Sequence, residues 1–270
     1  MASRLGVALE GGGMRCAAQA GALFSMTAAG ILPSCFAGCG AGALVAAIAA
    51  TGEFTDGLLR TFKGSVSLKA LIRDAKINSS LQNHFGSRLL REAHPLAMPT
   101  VDLETGIVQV FSSILPERPD HRPWSRQALL SGAVRAAMAA PGVLKPVRWR
   151  GRVLSGGGHL RTTLPGLLRA MGADITVGIR VLDAGCAQYE THPAALALCA
   201  HAMTGSLADD YDLLIPIMGF EKGQGVLEKQ DMHALFLLGQ NAVLNMLPRI
   251  KALTGQVGAK ILRFPGMIRG

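Results

Sequence analysis

The chain has 270 residues, 49% hydrophobic and 17% charged, with a net charge of +9. That composition excludes a disordered chain and supplies enough apolar side chain for a sizeable core. Basic residues are spread out with no run of five or more, and two Trp and two Tyr leave few rings for base stacking, so nucleic acid is not an expected partner.

The first fifty residues read as two strand–turn–helix units. Leu5 to Leu9 is a short buried strand, and Gly11, Gly12 and Gly13 form a turn. A helix follows with Cys16, Ala20, Leu23 and Phe24 on one stripe, and Gly30 ends it. Pro33 leads into a second strand near Cys35 to Ala37. A second glycine turn, Gly38-Cys39-Gly40-Ala41-Gly42, precedes a helix from Ala43 to Thr51 that Gly52 closes. The apolar run Ala41 to Ala50 is about half the length needed to span a bilayer.

Further on, Thr105-Gly106 predicts a turn between strands, because Ile107 to Phe111 is β-rich. The three prolines between Pro116 and Pro123 predict a surface loop. Leu129 to Ala139 reads as a helix stopped by Pro141, and Val147 to Leu154 as strands about a turn at Gly151. Ile175 to Val181 and Leu213 to Ile217 are buried strands. Asp231 to Leu247 is a long helix burying Leu235, Gly239, Ala242 and Met246. Neither an internal repeat nor a domain boundary is visible, so residues 1–270 are expected to form a single domain.

Five cysteines without CxxC spacing argue against a disulfide framework or a zinc site, so no metal is expected. Arg4 alone before a five-residue apolar strand does not make a signal peptide. The expected compartment is the cytoplasm, with peripheral membrane contact. The stretch from Arg249 through Lys251, Lys260 and Arg263 to Arg269 is basic, with Ile261, Leu262, Phe264, Met267 and Ile268 interleaved. It could lie on an anionic interface or cover the core as a tail.

Several segments together resemble the patatin-like phospholipase family. Val7-Ala8-Leu9-Glu10-Gly11-Gly12-Gly13-Met14-Arg15 is similar to its glycine-rich oxyanion loop. Phe36-Ala37-Gly38-Cys39-Gly40-Ala41-Gly42 falls where the family places its G-x-S-x-G nucleophile elbow. Ala133 to Val143 is similar to its internal Arg-Ala-Ser segment, with Arg135, Pro141 and Gly142. Gly151 to Gly158, then Leu164-Pro165 and Leu168, resembles its Asp-Gly-Gly block and following helix. The resemblance implies a three-layer α/β/α fold with a mixed, mostly parallel central sheet. It implies lipid acyl-ester hydrolysis through a Ser–Asp dyad, without cofactor, on a lipid or acyl-ester ligand.

On that correspondence the departures fall on the chemistry. Gly40 stands at the nucleophile position, and Gly156 (or Gly157, with a different loop alignment) stands at the base position. Glycine can neither attack an ester nor accept a proton, so the implied reading is a pseudoenzyme that keeps its acyl-binding cleft. Gly11, Gly12 and Gly13 are candidate oxyanion donors at a helix N-terminus. Arg15 is expected to fix that loop, while Gly38, Cys39 and Gly42 shape the elbow.

Two alternatives stay open. Cys39 with His159 would make a nucleophilic dyad in principle, against an inward, structural Cys39. The turn Gly38-Gly40-Ala43 also satisfies the dinucleotide fingerprint G-x-G-x-x-A, but the only acid near the required spacing is Asp56, which no strand precedes.

Overall fold

Strand β1 (Leu5–Glu10) lies inside the sheet, and its run of apolar residues is buried on both faces. The computed structural model describes residues 3–11, 13–52, 74–141, 144–157, 163–182, 210–219 and 229–255. Parallel to β1 run β2 (Cys35–Gly38) on one side and β8 (Ile175–Val181) on the other. The remaining strands are β3 (Leu96–Asp102), β4 (Val108–Ser112), β5 (Trp124–Ser125), β6 (Val147–Trp149), β7 (Arg152–Gly156) and β9 (Leu213–Ile217). The described sheet has nine strands, with the main path β5-β4-β3-β2-β1-β8-β9. β4 and β7 both pair antiparallel to β3, which makes the sheet mixed but mostly parallel.

Helices cover both faces. Leu5, Val7 and Leu9 point to one face, where α1 (Cys16–Ala28), α2 (Ala41–Ala50), α3 (Asp74–Phe85), α4 (Leu130–Ala137) and α6 (Lys229–Thr254) pack. Ala8, Cys35 and Ala37 point to the other, against Leu164, Leu167 and Leu168 of α5 (Thr163–Ala170). This period-2 partition of an apolar strand produces the three α/β/α layers.

β2 and β7 share one flank of β3. β2 pairs with it at Leu96 and Ala97, and β7 takes over at Thr100 to Asp102 from the opposite direction. The C-terminal ends of β2 and β7 therefore face each other along β3. Pro99 sits at the changeover, where its missing N–H disrupts neither ladder.

Three of the expected helices differ in their bounds, and α3 and β5 were not expected. α2 begins at Ala41 rather than Ala43. α4 ends at Ala137 rather than Ala139, and the Ala137 carbonyl accepts from Gly40 N–H instead of continuing the helix. α6 continues beyond Leu247 to Thr254 with Pro248 inside it, held by the fully buried Ile250. No described helix is long and apolar enough to cross a membrane.

Candidate functional site

Each glycine turn follows a parallel strand and opens a helix, so both lie at the carboxyl edge of the sheet, where ligands of α/β sheets bind. The turns are tied together. Gly42 N–H donates to Gly11 O at 3.1 Å, Cys39 N–H to Leu9 O at 3.2 Å, and Gly11 N–H to Cys39 Sγ at 3.4 Å. Gly11 and Gly13 hold φ of +49° and +50°.

The three glycines of the second turn meet different constraints. A Cβ on Gly38 would stand 2.7 Å from Ala43 Cα, and one on Gly42 would stand 2.2 Å from Leu9 O. Both positions exclude a side chain because backbone fills the space. Gly40 is the N-cap of α2 with φ +54° and ψ −137°. A Cβ there would meet only Gly11 Cα, at an ordinary 3.4 Å. The strained residue of the turn is therefore also the one whose side-chain direction is open.

Gly40 N–H donates to Ala137 O at 3.1 Å, and a Cβ on Gly156 would lie 2.6 Å from that same oxygen. One carbonyl at the end of α4 thus separates the two positions. Gly156 N–H donates to Ala139 O at 2.8 Å, and Ser155 Oγ donates to the same acceptor at 2.7 Å. A Cβ on Gly157 would lie 3.0 Å from the Pro99 carbonyl group. Any side chain at 156 requires the α4 terminus to withdraw, whereas one at 157 needs only a few tenths of an ångström.

Cys39 is 2% exposed and turned inward. Burial first, and then the charge of Glu10, push its thiol from 9.0 to about 12. It is therefore a neutral, weak nucleophile at neutral pH. Beside it lies a polar cluster that the sequence reading did not find. Arg180 Nε donates to Glu10 Oε2, and Tyr211 Oη donates to Glu10 Oε1 at 2.7 Å. Burial first, then Glu10, raises the Tyr211 phenol well above its usual range. Arg180 is 6% exposed, and its Nη2 has no acceptor among the described residues. The position of Glu10 directly before the glycine run was the only available signal.

Of the other expected site residues, Arg15 is half-buried at the head of α1. Gly12, Asp56, Gly158, His159 and the tail beyond Gly255 lie outside the described residues. Among the described residues, no group of three or more His, Cys, Asp or Glu could hold a metal ion.

Three comparisons bear on this geometry. A family model described as patatin-like phospholipase matches residues 7–168, more than half of the chain. An uncharacterized NTE family protein of Mycobacterium tuberculosis is 29% identical over 168 residues, covering 58% of this chain and 26% of its own length. A second from the same organism is 25% identical over 223 residues, covering 78% of this chain and 58% of its own. The chain thus spans about a quarter of the length of the first of these relatives. Among solved structures, the crystal structure of VipD from Legionella pneumophila superposes with a TM-score of 0.57 at 13% identity, covering 92% of this chain and 67% of that one. At that identity the likeness concerns the fold alone.

Proposed function

The chain belongs to the patatin-like phospholipase family, and from that premise we propose that it is a single-domain pseudoenzyme, one that retains the family's cleft for a lipid acyl group without the family's dyad. The observation that carries this reading is the outward, unobstructed Cβ direction of Gly40, one carbonyl away from Gly156. The turn keeps the strained geometry that presents a side chain, yet has none to present. Gly12 and Gly13 would supply the oxyanion-type donors, since Gly11 N–H is directed at Cys39 Sγ. The ligand would be a lipid or acyl ester, approached from a membrane surface.

The geometry disfavours both alternatives. A rerouted hydrolase would need Cys39 as thiolate, but its thiol is buried and held neutral. A dinucleotide would need the amides of the second turn for its pyrophosphate. Those of Gly40 and Gly42 already donate to Ala137 O and Gly11 O.

The test is hydrolysis of short-chain aryl esters. The protein should turn them over no faster than an unrelated basic protein does. Turnover abolished by Cys39→Ala would overturn the reading. Gly40→Ser with Gly157→Asp, and Gly40→Ser with Gly156→Asp, should return measurable hydrolysis and fluorophosphonate labelling. The first pair is expected to work better, because Gly157 has more room for a side chain. If both folded pairs stay inert, the claim of a retained cleft falls.

A further inference from the structure

Residues 121–173 contain nine Lys and Arg and no Asp or Glu, so the rest of the chain is balanced and the net charge of +9 resides in this stretch. The fold sorts these cations. Arg122 and Arg169 pair with Asp120 and Asp212. Arg126, Lys145, Arg148 and Arg150 are exposed instead, and none of the four has an ion-pair partner among the described residues. Two segments carry them side by side. Arg150 Nη2 donates to Gln127 Oε1 at 2.7 Å, which holds the end of β6 against the residues after β5. Two positions further on, Leu129 borders the same concavity as Lys145 and Arg148. Leu129, 43% exposed, and the exposed Pro146 stand among the charges.

We propose that this face docks on an anionic membrane surface. A chain whose whole excess charge sits in one acid-free stretch, with four of its cations exposed on adjoining segments, presents a positive field that selects an anionic partner. The hydrogen bonds that hold Arg126 and Arg150 run to Ser113 O and Gln127 Oε1. Those acceptors are uncharged, so they orient the guanidinium groups without neutralising them. Trp149 lies within the patch but offers no platform for a base. Phe111 meets its ring edge-on at 4.9 Å, and the Arg150 guanidinium lies over it, 5.1 Å from the centroid. That disfavours a nucleic acid, whose bases bind by stacking on open rings. Lipid headgroups need no such platform, since they rearrange laterally to meet fixed cations. Leu129 and Pro146 add apolar surface suited to the boundary between headgroups and acyl chains. The choice of a bilayer over another polyanion rests on the reading above, that the chain takes a lipid acyl group.

The experiment is sedimentation of the full chain with vesicles of phosphatidylcholine, with and without phosphatidylglycerol. The mixed vesicles should carry the protein down at low salt, and phosphatidylcholine alone should not. Lys145→Ala with Arg148→Ala should lower the partition coefficient at least about tenfold, the effect of losing two basic residues from such a surface. Lys145→Arg with Arg148→Lys keeps both charges and should retain binding. Arg249→Ala with Lys251→Ala removes the same net charge from α6 and should leave it unchanged. Absence of binding to the mixed vesicles, or equal weakening by the two alanine pairs, overturns the proposal. Tighter retention by a single-stranded oligonucleotide than by the mixed vesicles, lost in the Lys145 and Arg148 alanine pair, would assign the face to nucleic acid and overturn it as well. Hydrolysis of soluble aryl esters by the Gly40→Ser pairs requires no vesicle, so failure of the docking face and failure of the acyl cleft are read separately.

Discussion

Gly38, Gly40 and Gly42 occupy one five-residue turn, yet each is glycine for a different reason. At 38 and 42 the neighbouring backbone leaves no room for a methyl group, whereas at 40 only the positive φ resists one. Gly42→Ala should therefore destabilise the fold by more than about 3 kcal/mol, since a carbonyl lies where the methyl would go. Gly40→Ala should cost about 1–3 kcal/mol, the strain of an L-residue in that region. Urea denaturation of the two variants measures the difference, and equal losses would mean that the turn is not built as an elbow. The sequence marks the cluster but cannot say which glycine lacks space and which lacks only a side chain, because that depends on how α2 folds back over Gly38 and how Leu9 of β1 lies against Gly42. The Glu10–Arg180–Tyr211 cluster was invisible for the same reason: its members are 170 and 201 positions apart.

Among the elements, β1, β2, β8 and β9 were legible as short apolar runs bounded by turn residues. β3 was legible only as an unbounded strand before the Thr105-Gly106 turn, because Pro99 inside a run argues against a central strand. Only the exchange of β2 for β7 along its flank makes that proline acceptable. The amphipathic reading of α1 was also too narrow. Besides Leu23 it buries Ala17, Ala18 and Ala22, because α6 packs on the side away from the sheet. That crossing is close. A Cβ on Gly239 would stand 1.7 Å from Ala18 O, and one on Gly21 would stand 1.9 Å from Phe236 O. Alanine is about 1 kcal/mol better than glycine in an open helix, so Gly239→Ala would stabilise α6 if it were free. Overpacking at the crossing reverses the sign, and the variant should lose about 1–3 kcal/mol. A raised thermal midpoint for Gly239→Ala would show that α6 does not approach α1 this closely.

For the whole molecule, buried groups that hold their protons make stability fall on the alkaline side. Burial raises Cys16, Cys35 and Cys39 from 9.0 to about 12, and Tyr211 shifts in the same direction. Below pH 9 these groups keep their protons in both the folded and unfolded chain, so their contribution is fully present. Above pH 9 the unfolded chain releases them while the folded chain does not. The unfolded state then binds fewer protons, and stability declines until the folded thiols ionise near pH 12. Each thiol adds a slope of about −1.4 kcal/mol per pH unit within that window. The urea midpoint, followed from pH 8 to pH 11 under reducing conditions, should hold steady to about pH 9 and then drop steeply. Cys39→Ala removes one ionising group, so its curve should be shallower by that increment even if its midpoint at pH 8 is lower. Parallel curves would mean that Cys39 reaches solvent and titrates normally, which would reopen its candidacy as a nucleophile.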